Sequence, residues 1–237
     1  MAISSNCLFH FTSKLEYLED IIRNGFWPRY CREYGWGNQY IDFILPMVCF
    51  CDIPLSMISE HTRFYGQFGL GVSPKWIQSH KDITPVQYIS VTSYEFNSVN
   101  KLLTKLKNNT ITEDELSKLK LVKKVSGMAI NKNGTKAKKK FYDEREWRYV
   151  PSGLQLKDLI IPVEKQCEFN LSTLSAKTKN LGLSLDMSEI KYLIIPNESY
   201  RYGLISRINE IYKEESKEKK DILISRIISV KQIEEDF

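Results

Sequence analysis

The 237-residue sequence lacks the features that mark membrane and secreted proteins. No apolar run approaches the ~20 residues that a bilayer-spanning helix needs, so we exclude a transmembrane helix. Residues 1–6 have neither a basic region nor a long apolar segment, so we expect no secretory signal peptide and a cytoplasmic location. The five cysteines are odd in number and have no repeating spacing. That pattern argues against a disulfide framework and predicts reduced thiols.

Several signatures of common enzyme classes are also missing. The three histidines and the Cys49-x-Cys51 pair do not have zinc-ligand spacing, so we predict no metal site. His61 and His80 are predicted to lie on the surface without partners. No nucleophile elbow, P-loop or dinucleotide glycine fingerprint occurs, which excludes the enzyme classes that those motifs define.

What is present is ordinary globular composition, with 42% hydrophobic and 27% charged residues. The predicted strands outnumber the predicted helices, and no regular βαβ alternation occurs. This favours an α+β fold with a split or curved mixed β-sheet and flanking helices. We predict one domain over residues 1–237, with a basic insertion at about 101–140.

Individual segments give more local predictions. Residues 8–11 form a short strand, and residues 47–51 are apolar on both faces, as in a buried central strand. Residues 26–39 are rich in aromatics and glycine and are predicted to be a loop that covers a site. Residues 222–228 are predicted to be a strand near the end of the chain.

The basic insertion concentrates the positive charge. Residues 101–140 contain twelve lysines and three carboxylates, a local net charge of +9, whereas the whole chain carries +5. Such a segment favours a polyanionic partner, nucleic acid rather than a membrane. The alternative is a mobile loop that lysine keeps solvated. The lysines predicted to contact nucleic acid are Lys132, Lys136, Lys138, Lys139 and Lys140.

A charged strand is predicted over residues 141–150. Alternation places Glu144, Glu146 and Arg148 on one face, with the two carboxylates roughly 6–7 Å apart. Like charges this close raise the pKa of one carboxylate unless a cation or ligand intervenes. On an interior face the pattern indicates a functional site, and on a solvent-facing edge it would be a simple charged ladder.

His10 lies on the first predicted strand, next to predicted core residues. A histidine in this position is usually a hydrogen-bonded structural residue. Its proximity to a paired-carboxylate strand in the sheet would instead make it part of a functional site.

These residues fall within motifs that resemble the AbiGi family of bacterial abortive-infection proteins, which confer phage resistance and sometimes form the antitoxin half of a two-gene system. The resemblance covers nearly the whole chain apart from the basic insertion. The motifs are Leu8-Phe9-His10-Phe11-Thr12-Ser13, Asn24-Gly25-Phe26, Pro28-Arg29-Tyr30-Cys31, Pro46-Met47-Val48-Cys49-Phe50-Cys51-Asp52-Ile53-Pro54-Leu55-Ser56, Tyr65-Gly66, Phe141-Tyr142, Arg145-Glu146-Trp147-Arg148-Tyr149-Val150 and Ile228-Ser229-Val230-Lys231-Gln232-Ile233.

The chain has a first strand carrying His10, a helix ending in Asn24-Gly25, an apolar second strand and a late strand carrying Glu146. This layout more distantly resembles ADP-ribosyltransferases, in particular the DarT-like enzymes that modify DNA. It implies that NAD is a substrate, with Glu146 as the catalytic carboxylate and Glu144 on the acceptor side. A carboxylate beside the reacting sugar carbon would stabilise its developing positive charge. The resemblance further implies that His10 and Thr12 contact the ribose and that Tyr65 stacks on nicotinamide. Arg29 or Arg148 would meet the pyrophosphate.

Together these inferences predict an anti-phage, NAD-dependent mono-ADP-ribosyltransferase-like protein that acts on a macromolecule, nucleic acid before protein. One alternative is a non-catalytic antitoxin or sensor that binds a cognate toxin or antitoxin partner. Others are an RNA-binding module acting through residues 101–140 and an enzyme that hydrolyses NAD without an acceptor. The transferase interpretation requires His10 and Glu146 to face one cleft from the same side of the sheet.

Overall fold

The computed structural model describes residues 4–36, 41–131, 133–155, 159–163 and 170–236. Its strands are β1 (Leu8–Thr12), β2 (Arg29–Trp36), β3 (Ile41–Cys51), β4 (Phe68–Val72), β5 (Ile83–Pro85), β6 (Gln87–Ile89), β7 (Val122–Lys124), β8 (Ser126–Ile130), β9 (Lys136–Lys140), β10 (Glu146–Tyr149), β11 (Ile161–Val163), β12 (Ile190–Ile195) and β13 (Ile227–Ser229).

Helices flank these strands. They are α1 (Leu15–Asn24), α2 (Ile58–Tyr65), α3 (Pro74–Ser79), α4 (Tyr94–Lys107), α5 (Glu113–Leu119), α6 (Leu171–Ala176), α7 (Arg201–Ile211), α8 (Lys217–Ile224) and α9 (Val230–Asp236). No helix within the described ranges is long and apolar enough to span a membrane.

The main sheet is mixed and is organised around β3. Its order is β13-β12-β4-β1-β3-β10-β5, and β2 and β11 also pair with β3. The first part of β3 pairs with β2 and β11, and its last residues pair with β10 and β1. One long strand therefore belongs to two sets of neighbours, as in a curved or split sheet. The predicted α+β class with a mixed sheet is confirmed.

The register defines two faces of the sheet. Phe9 pairs with Cys51, and Cys51 pairs with Glu146, so these three side chains leave the sheet on one side, which we call the cluster face. Leu8, His10 and Phe50 leave on the other side, which we call the apolar face.

The two faces are covered by different elements. Phe50 and Leu70 on the apolar face pack in one core with Leu18 of α1 and Leu204 of α7. Helices α4 and α5 pack against the first part of β3 and bury a second core. This core includes Phe43 and Leu45 of β3, Leu103 of α4 and Leu116 of α5.

Local sequence signals explain several of these boundaries. Ser73 caps α3 by accepting a hydrogen bond from the Trp76 amide at 3.0 Å, with Pro74 in the first turn. Gly66 ends α2 with a φ of 138°, and a Cβ built there would lie 2.1 Å from the Thr12 carbonyl oxygen. Only glycine allows this close approach of α2 to β1.

Three segments differ from the sequence prediction. Residues 29–36 of the predicted aromatic loop form β2, which pairs antiparallel with β3. The predicted strand at 222–228 is instead the end of α8 followed by β13. A short apolar run such as Ile222-Leu223-Ile224 is compatible with either a helix or a strand, so periodicity alone did not distinguish them. The predicted strand at 141–150 is a 3₁₀ helix, Phe141–Glu144, followed by β10.

The basic segment is also more regular than the predicted mixture of helix and mobile loop. Helices α4 and α5 are followed by β7, which pairs in parallel with β6. Strands β8 and β9 form an antiparallel hairpin in a sheet of their own.

Candidate functional site

A left-handed residue brings two carboxylates together on the cluster face. Arg145 has a φ of 46° and ends the 3₁₀ helix before β10 begins at Glu146. The sharp turn, rather than an extended strand, directs Glu144 and Glu146 to the same lysine. Lys123 Nζ donates to Glu144 Oε2 at 2.9 Å and to Glu146 Oε2.

Further charges complete what we call the buried ion cluster. Arg148 Nε donates to Glu146 Oε1 at 2.6 Å, and Arg148 Nη2 donates to Glu33. Lys139 Nζ lies 3.1 Å from Glu144 Oε1. Both oxygens of Glu146 therefore have cationic partners. The cluster has three carboxylates and three cations, Glu33, Glu144, Glu146, Lys123, Lys139 and Arg148.

The cluster lies away from water. Glu146 is 4% exposed and Arg148 is 0% exposed. Burial alone would raise the pKa of Glu146, but Arg148 and Lys123 outweigh it and hold that pKa well below its usual range. Burial likewise opposes the charge on Lys123, yet Glu146 and Glu144 raise its pKa well above the ordinary value. Glu146 and Lys123 are therefore ionised, and their charges are neutralised by partners within the cluster.

Two residues of α2 close the cluster on one side. Tyr65 Oη donates to Glu144, and burial raises the pKa of this tyrosine well above its usual range. The His61 ring lies between Phe11, at 5.2 Å, and Tyr65, at 4.7 Å. Burial first, and then Lys139, lower the pKa of His61 to about 3. His61 is therefore neutral in the folded protein. It is partly exposed, and the prediction that it lacks partners is wrong.

A small cavity adjoins the cluster. Its volume is about 170 Å³, and its lining includes Cys51, His61, Tyr65, Glu144 and Glu146. Ligand pockets usually measure roughly 300–1,000 Å³, so this space is small for a nucleotide. Thiol chemistry is also disfavoured here, because burial raises the pKa of Cys51 far above its usual range.

His10 borders this cavity, but its side chain lies on the opposite face of the sheet from Glu146. Its ring makes edge contacts with Phe26 and Phe50 at 5.4 and 5.9 Å. Its Nδ1–H donates to the Cys49 carbonyl oxygen at 2.7 Å, and burial lowers its pKa, so the ring is neutral. His10 and Glu146 both line this cavity, as expected, but the strand register directs their side chains to opposite sides of the sheet. Neither residue type nor spacing reveals this, since it depends on the register of β1, β3 and β10.

A second cavity on the apolar face contains the other predicted ligand contacts. It has a volume of about 380 Å³, and its lining includes His10, Thr12, Trp27 and Arg29. The Arg29 guanidinium stacks 3.9 Å above the Trp27 ring and lies 3.8 Å from Asp20. This cavity has a size that suits a small molecule, yet it contains none of the carboxylates of the ion cluster.

The residues predicted for NAD are thus divided between two faces. Glu144, Glu146, Tyr65 and Arg148 lie at the ion cluster, Thr12 and Arg29 line the other cavity, and His10 lines both cavities. A single NAD molecule needs its ribose contacts and its catalytic carboxylate on one side of the same pocket. The predicted set does not fit NAD as one site.

The predicted nucleic-acid lysines are also divided. Lys136, Lys138 and Lys140 are exposed on β9, whereas Lys139 is buried with its ammonium 4.1 Å above the Phe64 and Tyr65 rings. Lys139 is therefore unavailable to a phosphate, which corrects its predicted role. Lys132 lies outside the described residues.

Sequence reasoning missed two members of the ion cluster, Lys123 and Glu33. Lys123 follows the buried Val122 in a short strand, and its partners are 21 and 23 residues further along the chain. Nothing local signals that contact. His61 could have been found, because it lies four residues before Tyr65 and hence on the same helix face. Within the described ranges, no group of three or more potential ligands could hold a metal ion.

Comparison with known proteins defines the class. The chain is 31% identical over 227 residues to "Abortive phage resistance protein AbiGi" from Lactococcus lactis subsp. cremoris, an alignment covering 83% of this chain and 90% of that protein. It is thus similar to a protein of abortive phage resistance. No solved structure matches the chain at a significant level.

A family model makes the assignment more specific. The model described as "Putative abortive phage resistance protein AbiGi, antitoxin" matches residues 24–196. The matched region contains β3 and all six members of the ion cluster, which lie on β2, β7, β9, the 3₁₀ helix and β10. This chain belongs to the AbiGi family.

Proposed function

We propose that this chain is a non-catalytic antitoxin of an abortive phage-resistance system and that it acts by binding a cognate toxin. The observation that carries the proposal is the state of Glu146. Both of its carboxylate oxygens are bound by buried cations within the same chain. A catalytic carboxylate must instead come within hydrogen-bonding distance of the substrate.

The arrangement of charges supports a structural role for the cluster. Lys123 on β7 pairs with Glu144 and Glu146, and Lys139 on β9 pairs with Glu144. Arg148 on β10 then links Glu146 to Glu33 on β2, so the pairs connect the basic segment to β10 and β2. Holding five buried charges and the partly buried Glu33 in one cluster is expensive, and the benefit that this proposal assigns to it is a single orientation of the parts they join. In this interpretation the cluster holds the basic segment in a fixed position on the sheet, and partner recognition takes place on the outer surface.

The competing hypothesis is an NAD-dependent transferase on a fold like that of ADP-ribosyltransferases. Three observations count against it: the occupied oxygens of Glu146, the cavity of about 170 Å³, and the position of His10 on the other face. The transferase hypothesis predicts that the purified chain transfers ADP-ribose from NAD to a nucleic acid or protein, or hydrolyses NAD.

The test uses a charge-balanced double variant, Glu146→Gln/Arg148→Gln. It removes one carboxylate and one cation together, so the net charge of the cluster is unchanged and Lys123 keeps Glu144 as a partner, while Glu33 loses Arg148. Arg148→Gln alone is the control for instability. Melting temperature is measured for each protein, together with turnover of labelled NAD in the presence of nucleic-acid and protein acceptors. Protection of cells that express the cognate toxin is measured in parallel.

The antitoxin proposal expects no NAD turnover by the wild type and equal protection by the wild type and the folded double variant. Transfer of label by the wild type, lost in a double variant that melts at the same temperature, would overturn the proposal. It would also restore Glu146 as a catalytic residue, with a loss of about 10²–10³ in rate for one such electrostatic contact.

A further inference from the structure

The β8–β9 hairpin has two chemically different faces. Register pairs Ser126 with Lys140, Met128 with Lys138, and Ile130 with Lys136, and all six residues are exposed. We call this the outer face of the hairpin. The inner face carries Gly127, Ala129, Ala137 and Lys139.

The inner face attaches the hairpin to the protein. Lys139 enters the ion cluster through Glu144, at 3.1 Å. A Cβ added at Gly127 would meet the Phe141 ring at 3.0 Å, so this part of β8 is packed closely on the 3₁₀ helix. The hairpin is thus a supported element whose outer face is directed away from the sheet.

Hydrogen bonds of Asn131 also close the end of the hairpin. Asn131 N–H donates to the Thr135 carbonyl oxygen at 3.0 Å, and the Asn131 side chain accepts from the amides of Asn133 and Thr135 at 3.0 and 2.9 Å. Gly134 has a φ of 80°, a conformation that glycine adopts without strain. The two strands are therefore joined by a short hydrogen-bonded turn rather than by a long loop.

The outer face is basic. Within the described residues, Lys136 and Lys138 form no ion pair, and Lys140 pairs with the equally exposed Asp143 at 2.9 Å. Alternate residues of a strand are roughly 6.6–6.8 Å apart. That spacing is about twice the ~3.4 Å rise per phosphate along one DNA strand, so successive ammonium groups can meet phosphates of the same strand.

The residue types on the outer face indicate which class of macromolecule it can bind. Lysine is depleted in protein–protein interfaces, whereas it is a standard contact to phosphates. The major groove of B-form DNA, about 12 Å wide, accepts a two-stranded β-ribbon. Met128 and Ile130 are 52% and 39% exposed on β8, across from Lys138 and Lys136, where they can contact thymine methyl groups. The major groove of A-form RNA is too narrow for such an insertion.

We propose that the outer face of the β8–β9 hairpin binds duplex DNA by entering its major groove, with Lys136 and Lys138 on phosphates and Met128 and Ile130 toward the bases. This function is separate from toxin binding and does not depend on it.

The experiment measures binding of the full-length chain to a labelled random-sequence DNA duplex across a series of salt concentrations. The test variant is Lys136→Gln/Lys138→Gln. The matched control is Lys101→Gln/Lys107→Gln, which removes the same charge from exposed positions on α4. Both pairs lie on the surface, and equal melting temperatures establish that both variants are folded.

We expect the wild type and the α4 control to bind with similar salt dependence. In the hairpin variant, the slope of log K against log salt should fall in magnitude by about 1.8, because each lost phosphate contact removes about 0.9. The proposal would be overturned if both double variants lost affinity and salt dependence equally, or if the wild type did not bind DNA at low salt. Binding of duplex RNA as tightly as duplex DNA would overturn insertion into the major groove.

Discussion

Lys138 and Lys139 are neighbours on β9, yet they occupy opposite environments. Lys139 is 9% exposed and meets Glu144, whereas Lys138 is exposed on the outer face of the hairpin. Strand alternation alone produces the difference. A run of lysines can thus contain structural and surface charges at successive positions. The net charge of a segment therefore overestimates the number of charges that a binding partner can contact.

The largest effect should come from the centre of the ion cluster. Replacing Arg148 with methionine leaves Glu146 and Glu33 without their shared cation in a site that excludes water. We expect a loss of about 3–5 kcal/mol in the free energy of unfolding, measured by urea denaturation. The double variant Glu146→Gln/Arg148→Met should recover part of that loss. A change below about 1 kcal/mol in the single variant would mean that water reaches the cluster.

The neighbouring lysines allow a direct test of the comparison. Lys139→Met should cost about 1–3 kcal/mol, because Glu144 loses one cationic partner and two aromatic rings lose a cation. Lys138→Met makes the same chemical change one residue away and should alter stability by less than about 0.5 kcal/mol. Both values come from the same denaturation assay. Equal costs for the two variants would contradict the inward orientation of Lys139.

Acid should weaken the region around His61. The pKa of His61 is lowered to about 3 in the folded protein, chiefly by burial, whereas an unfolded histidine titrates near ~6.5. The unfolded chain therefore binds a proton first as pH falls, and stability is lost progressively from about pH 6.5 toward pH 3. The slope from this one group cannot exceed about 1.4 kcal/mol per pH unit.

A variant isolates this contribution. His61→Gln should reduce the slope of the stability curve between about pH 6.5 and pH 5, as measured by denaturant midpoints at each pH. His10, whose pKa burial also lowers, contributes to the slope that remains. The pKa values of Glu144 and Glu146 are also lowered, so their protonation weakens the fold only below their unfolded values of about 4.3. An unchanged slope above pH 5 in the variant would assign the acid response to other groups.

The smallest effect is expected on the apolar face. His10→Phe removes one hydrogen bond, to the Cys49 carbonyl oxygen, and keeps an aromatic ring beside Phe26 and Phe50. We expect a loss of about 1 kcal/mol and unchanged protection against a cognate toxin. A variant that keeps its melting temperature but loses protection would instead assign a functional role to the second cavity.

The sequence supports some parts of this structure better than others. Strand β1, the glycine that ends α1, the buried part of β3 and the cap of α3 all follow from local signals. The turn at Arg145 does not, because a left-handed arginine has no sequence signature comparable to glycine. That single residue changed a predicted ten-residue strand into a turn and a short strand.

The candidate site shows the same limit. Glu144 and Glu146 could be selected from their spacing, and the structure does bring them together. Their partner Lys123 comes from a distant strand, and the face on which His10 lies depends on strand register. Composition and spacing identify which side chains are unusual, but only the pairing of strands decides which of them meet.

The ion cluster also has a consequence for behaviour on warming. The hydration of charged groups becomes less favourable as temperature rises, so the penalty for holding six of them away from water decreases. Strands β7 and β10 should therefore retain their connection to each other at temperatures where peripheral elements such as α8 have begun to open. Amide hydrogen exchange measured at two temperatures would detect this: warming should accelerate exchange less at Lys123 and Arg148 than at Ile222. Equal acceleration of exchange at all three residues would show that the cluster gives no thermal protection.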